Sequence, residues 1–345
     1  MNRLTETRQA APGAAVQPPS AASDHAAVPP PTLAERFKAV RAPWAWSFAG
    51  AIAVWIVTIF VFGFSIAGNV VATAFVFGIF MVLVGLGQML VITAGPGNID
   101  LSVPSAIALC GVLAVQVMGG NNGHIVTGIA VAFGVGALIG VANYLLIRAL
   151  RIPPIIATLS SSFIIQSIAI TQSRGMPPPP PALGSFATGR LLGVPNIALL
   201  AFALSIVLAV LLHRMVFGRS LSALGQNPRA ARLAGVRVER TRCLTYVMSS
   251  MIAALTGLLL SGVSGGASLD MGVEYMLISV AVVVIGGTQV TGGKATVAGV
   301  WGAAMFLFLT NAILNAVGAG AGIRSVVYGV LIIAVVVAAG GRTAR

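Results

Sequence analysis

The sequence predicts an all-α integral membrane protein of about ten transmembrane helices in a five-plus-five inverted repeat. Three observations carry that prediction. Of 345 residues, 57% are hydrophobic and only 8% are charged, whereas a soluble domain carries roughly 25% charge, so no water-facing surface can be assembled from this chain. The apolar residues gather in runs long enough for a hydrocarbon core about 30 Å thick, which needs about 20 residues per helix. A polar, helix-breaking stretch in the first half, "AGPGNIDLSVPS" (Ala94–Ser105), has a counterpart in the second.

Residues 1–42 are rich in Pro, Ala and polar residues, with "PPP" at Pro29–Pro31, and contain no apolar core of a signal peptide. They read as a disordered cytoplasmic tail preceding one membrane domain, 43–345. Apolar runs then fall near 45–67, 70–93, 101–118, 125–147, 152–172, 194–213, 243–264, 275–292, 296–318 and 323–341. With the tail inside, the positive-inside rule calls for basic residues after the fourth, sixth and tenth runs. Arg148 and Arg151, the segment Arg214–Arg242, and Arg342 with Arg345 satisfy it, so both termini are expected in the cytoplasm. Arg174, Arg190 and Arg324 are outward exceptions, and Asp270 and Glu274 fall outside. The net charge of +13 therefore reports orientation rather than nucleic-acid binding. Cys110 and Cys243 make neither a disulfide framework nor a thiolate metal site. Five prolines, Pro177–Pro181, predict an extended spacer in an outward loop.

A shift of 170 residues lays "GPGNIDLSV" over "GGASLDMGV", Asp100 falling on Asp270. The first break precedes the third span from the cytoplasmic side and the second precedes the eighth from outside, as an inverted repeat requires. Unwound backbone inside a bilayer survives only where protein or a water-filled cavity satisfies it, so a break marks a candidate path. The plainer reading of Asp100 is a helix cap for the third span, with Pro104 in its first turn where a missing N–H costs nothing. The two readings are compatible. Gln88, Asn98, Asp100, Ser102 and Asp270 are the candidate path residues, supplying donors and acceptors suited to a polyhydroxylated solute.

The basic loop 214–242 reads "FGRSLSALGQNPRAARLAGVRVERTR" from Phe217 to Arg242. Asn227 can cap a short helix opened by Pro228, and Gly235 can close it in the left-handed conformation. Arg229 and Arg232 then share one face. A basic anchor at the anionic leaflet would explain the charges alone, while caps at both ends favour a docking helix.

Together with "NIDLSVPS" (Asn98–Ser105) and "AVVVIGGTQVTGGKATVAGVWGA" (Ala281–Ala303), "GRSLSALGQNPRAARLAGV" in this loop resembles the permease subunit of ribose/xylose-type ABC sugar importers. "LLIRALRIPPIIATL" and "GRLLGVP" are similar to segments of the same family, and the resemblance runs in order over roughly 45–341. It implies a homodimer of ten-helix permeases in the bacterial inner membrane, served by a periplasmic sugar-binding protein and by ABC ATPase subunits that use ATP and Mg. By the same resemblance Arg219, Asn227, Pro228, Arg229 and Arg232 belong to the ATPase-coupling segment. The family pattern "GIDLSVGS" stands here as "NIDLSVPS", with Asn98 and Pro104 in place of glycines.

Other chemistries fit less well. "GGTQVTGGKAT" (Gly286–Thr296) departs from a phosphate-binding loop, because its first glycine is out of register and Ala295 follows Lys294 where Ser or Thr would ligate magnesium. This chain is therefore expected to bind no cofactor or metal and to hydrolyse no ATP. "GVSGG" (Gly262–Gly266) has the spelling of a nucleophile elbow but follows an apolar helix rather than a strand, so no catalytic residue is assigned. An ion-coupled secondary transporter of a small polar solute is the alternative, since it too can be built as a ten-helix inverted repeat. Proton relays usually use several intramembrane acids, and only Asp100 lies well inside the bundle region.

Overall fold

The computed structural model describes residues 44–340, all within one compact unit, Ala42–Arg345. The expected tail, 1–42, lies outside the described residues. The chain forms α1 (Ala45–Phe62), α2 (Phe64–Thr73), a π-helical turn (Ala74–Gly78), α3 (Ile79–Thr93), α4 (Val103–Met118), α5 (Ile125–Leu150) and α6 (Pro154–Gln172). There follow α7 (Pro181–Thr188), α8 (Asn196–Arg214), α9 (Val216–Gln226), α10 (Pro228–Leu233), α11 (Val238–Val263), α12 (Tyr275–Ile285), α13 (Val297–Ala316) and α14 (Ala321–Gly340). By length and composition seven helices can cross a membrane: α1, α2 running through the π-turn into α3, α5, α6, α8, α11 and α13. Three expected runs correspond to shorter apolar helices, α4, α12 and the Gly322–Leu331 part of α14. The protein is an all-α, multi-pass membrane protein.

α3 is the hub. Its sequence, IFMVLVGLGQMLVIT, is apolar around its whole circumference, the pattern of a helix enclosed on every side. All of its residues are buried. It packs against α11, α12 and α13, while α11 also contacts α4, α5 and α7. By contrast α1, equally apolar, buries only Ser47, Ala51 and Thr58 and leans on α13.

Two features of the loop between α6 and α8 differ from expectation. Pro177–Pro180 is non-helical, as a spacer would be, but Pro181 opens α7, because proline is tolerated at a first helical position. Leu183 and Ala187 of α7 are buried, and α7 seats on α11 at Gly262. A short antiparallel hairpin then pairs Arg190 with Pro195 and Leu191 with Val194. Its turn residues Leu192 and Gly193 both have positive φ, 52° and 83°, the twist that tight hairpins prefer.

Span ends shift for local reasons. The eighth run was expected to reach 292 but α12 stops at Ile285, where Gly286 and the left-handed Gly287 open the connection to α13. The seventh was expected from 243, yet α11 begins at Val238 and carries Glu239, Arg240 and Arg242 in its opening turns.

Candidate functional site

The first break, residues 94–102, separates α3 from α4. Its backbone leaves the helix through Gly95 at φ 139° and Gly97 at φ 72°. Asp100 does not cap α4 directly. The helix starts at Val103 with Ser102 at the cap position, and Asp100 Oδ1 instead accepts from the Ser102 N–H at 2.9 Å and the Ser102 hydroxyl at 2.6 Å. The carboxylate thus closes an Asx turn one step ahead of the helix. Pro104, in the first turn of α4, has no N–H to leave unpaired.

Four helices supply the partners of this turn. The Asn143 amide on α5 donates to Ser102 Oγ at 2.7 Å and accepts from the Ser161 hydroxyl on α6. Thr158 Oγ1 accepts from the Leu101 N–H at 3.0 Å, and Ser105 Oγ pairs with Ser162 Oγ at 2.9 Å. Oriented to satisfy both groups, the Gln88 amide on α3 donates to the Asp100 carbonyl at 3.3 Å and accepts from its N–H at 3.2 Å. From α11, Tyr246 donates its hydroxyl to Asn98 Oδ1 at 3.2 Å. Gln88, Asp100, Ser102, Asn143 and Ser161 are all buried. Asp100 Oδ2 is buried without a partner among the described residues, as are the Ser249 and Ser250 hydroxyls.

The second break, residues 264–274, is built differently. Gly265 has φ 70°, but Asp270 is exposed and shares none of the bonds above. Four of the five path candidates therefore meet at the first break, and Asp270 stands apart. The second break nevertheless touches the start of α4: a Cβ on Gly272 would lie 2.2 Å from the Pro104 carbonyl oxygen, so the backbones are in direct contact.

The basic segment 214–242 contains the short helix expected at its centre. Asn227 Oδ1 accepts from the N–H groups of Arg229 at 3.0 Å and Ala230 at 3.1 Å, and Gly235 has φ 82°. Arg219, Arg229 and Arg232 are exposed, and Pro228 opens α10. Arg232 forms a 3.2 Å ion pair with Glu239, whose second oxygen accepts from Tyr144 at 3.0 Å; Arg148 donates to the same hydroxyl at 2.8 Å. Because the pair is solvent-facing, it stabilises by at most about 1 kcal/mol, and its value is positional.

The Gly286–Thr296 connection also has a role in packing. Gly293 N–H donates to the Thr93 carbonyl at 2.9 Å, and Ser222 Oγ donates to the Gly293 carbonyl at 2.5 Å. A Cβ on Gly225 of α9 would lie 2.1 Å from Thr93 O and 2.2 Å from Gly293 N. Backbone therefore meets backbone where α9, this connection and the start of the first break converge. Sequence reasoning passed over Asn143, Ser161, Tyr144, Glu239 and this junction. Asn143 carried a readable signal, an amide inside an apolar run. The junction carried none, since glycine in a loop spells flexibility and close approach alike.

Comparison with known proteins identifies the family. The family described as branched-chain amino acid transport system / permease component matches residues 69–336. A probable ABC transporter permease, y4mJ of Sinorhizobium fredii, is 36% identical over 242 residues, covering 69% of this chain and 71% of its own length. The ribose import permease RbsC of Escherichia coli is 30% identical over 257 residues, covering 73% and 79%. The autoinducer 2 import permease LsrD of Yersinia enterocolitica is 32% identical over 265 residues, covering 74% and 78%. No solved structure matches. A match across most of the membrane domain is far more demanding than any single motif, and the chain belongs to this family of ABC importer permeases.

Proposed function

We propose that this chain forms the translocation path of an ABC importer for a monosaccharide or similar polyhydroxylated solute. The working unit is a permease homodimer in a bacterial inner membrane, with both termini cytoplasmic. A periplasmic binding protein delivers the solute, and ATPase subunits, which use ATP and Mg, dock on the basic segment through Arg219, Asn227, Pro228, Arg229 and Arg232. The chain contributes no ATPase site and makes or breaks no bond in the solute. The substrate class rests on the ribose and autoinducer 2 relatives and on the neutral hydroxyl and amide groups around the first break.

The observation that carries the reading is the backbone junction joining α9, at Gly225, to Thr93 at the mouth of the first break. A displacement of α9 and α10 has no soft side chain to absorb it there and reaches the break directly. ATPase closure would move α10 and tilt the bundle, opening the path around Gln88, Asn98, Asp100 and Ser102 outward. On this reading Asp270 marks the other break, on the opposite side of the path.

The packing supports a ten-span inverted repeat. Exchanging the first five expected spans with the last five turns the contacts of α11 with α5 and α4 into those of α3 with α13 and α12, which are present, and α3–α11 into itself. α4 and α12, about 24 Å and 16 Å long at 1.5 Å per residue, are shorter than the hydrocarbon core, as half-helices starting inside it would be.

The test is uptake in proteoliposomes containing the permease, its ATPase and its binding protein. Arg229→Glu with Arg232→Glu should abolish ATP-dependent uptake while leaving membrane insertion intact; retained uptake would refute the coupling assignment. Solute accumulation driven by an ion gradient without an ATPase would establish the secondary-transporter alternative instead.

A further inference from the structure

We propose that the cleft between α5, α11 and the first break is a binding site for a phosphate group, borne by an anionic lipid headgroup or by a small soluble anion. The cleft measures about 400 Å³ and is lined by Arg148 and Arg151 from the end of α5, Arg242 and Glu239 from the start of α11, and Asn98 with Tyr246 at its inner wall. Three arginines and one glutamate line the cleft, and the glutamate carboxylate is already engaged on both oxygens by Arg232 and Tyr144. Arg148 uses one donor on Tyr144, whereas the guanidiniums of Arg151 and Arg242 make no hydrogen bond or ion pair among the described residues. The lining therefore carries an uncompensated positive charge that a neutral polyhydroxylated solute would not need.

Helix stability explains only part of the charge. Arg148 and Arg151 end α5, where cations are favourable, but Arg242 lies near the N-terminal end of α11, where the helix macrodipole is already positive. A cation there adds to the field that favours an anion. Arg151 also has φ 54°, a left-handed conformation usual for glycine or asparagine rather than arginine, and Ile152–Pro153–Pro154 follows it. Guanidinium forks match phosphate oxygens in pairs, and basic pockets between transmembrane helices hold anionic headgroups. The site's charge does not depend on the solute reading, but the cleft shares Asn98 with the proposed path and includes Glu239, paired with Arg232 of α10.

Full-length protein in neutral detergent is titrated with inorganic phosphate, short-chain phosphatidylglycerol and short-chain phosphatidylcholine, with binding followed by calorimetry and native mass spectrometry. We expect saturable binding of at least one phosphate-bearing anion, at least tenfold tighter than phosphatidylcholine. Arg151→Gln with Arg242→Gln should weaken it at least tenfold, Arg151→Lys about threefold, and Arg214→Gln, outside the cleft, not at all. Competition by inorganic phosphate identifies a soluble anion, and phosphatidylglycerol binding without competition identifies a headgroup. Absence of saturable anion binding, equal binding of both lipids, or equal weakening by Arg214→Gln overturns the proposal. If the double variant fails to fold, the Arg151→Lys and Arg214→Gln pair decides it alone.

Discussion

Asp100 is 1% exposed and tied to a network drawn from α3, α5 and α6, while Asp270, its counterpart 170 residues on, is exposed, and its own N–H only approaches Ser268 Oγ at 3.4 Å. The breaks are spelled alike and each ends a long helix before a short one. Their surroundings differ: shifted by the same 170 residues, Asn143 falls on Ile313 and Ser161 on Leu331. One half of the molecule thus encloses its break in polar partners and the other does not. The two breaks share left-handed glycines but not surrounding chemistry.

The sharpest way to break this comparison is steric. Gly272→Val drives a branched side chain into the Pro104 carbonyl, so it should cost about 3 kcal/mol or prevent assembly, read as loss of monodisperse protein in detergent. Gly265→Val, with nothing near its Cβ, should lose only the ~1–2 kcal/mol of left-handed strain. Equal losses would show that the second break and the start of α4 do not support each other. Next, Asn143→Ala removes two buried hydrogen bonds, to Ser102 and from Ser161, while each hydroxyl keeps its bond to Asp100 or to the Thr158 carbonyl, and should cost roughly 2–3 kcal/mol by thermal unfolding.

Asp100→Ala should cost about 1–3 kcal/mol and Asp270→Ala under about 0.5 kcal/mol, since only the first removes a buried acceptor. Asp100→Asn keeps the Oδ1 acceptor and should be milder; wild-type uptake by that variant would reduce Asp100 to a dispensable turn former. The smallest effect is expected at α10, where Asn227→Ala removes two capping bonds worth about 1 kcal/mol locally. Its signature should be weakened coupling with little change in melting temperature.

Much of the candidate site was legible in the residues. Asn227, Pro228 and Gly235 specify α10 because caps act over three or four residues and need no tertiary partner. The "GPGNID" break was equally local. What escaped was long-range: the Tyr144–Glu239 bond joins residues 95 apart, and Tyr246–Asn98 joins residues 148 apart. Asp100 lies two residues ahead of the cap position expected for it, because an Asx turn and an N-cap share the same residue preferences.

Composition and run length by themselves determined that this is a multi-pass helical membrane protein, where its helices break, and which loop carries the basic helix. Those properties follow from transfer of side chains and backbone between water and hydrocarbon, which each segment experiences alone. Tertiary structure alone decided that α3 lies at the centre and α1 at the periphery. Lipid tails are as apolar as a protein interior, so hydropathy cannot distinguish a helix facing lipid from one facing its neighbours. Only close packing of backbones, as at Gly272 against Pro104 and Gly225 against Thr93, makes that choice.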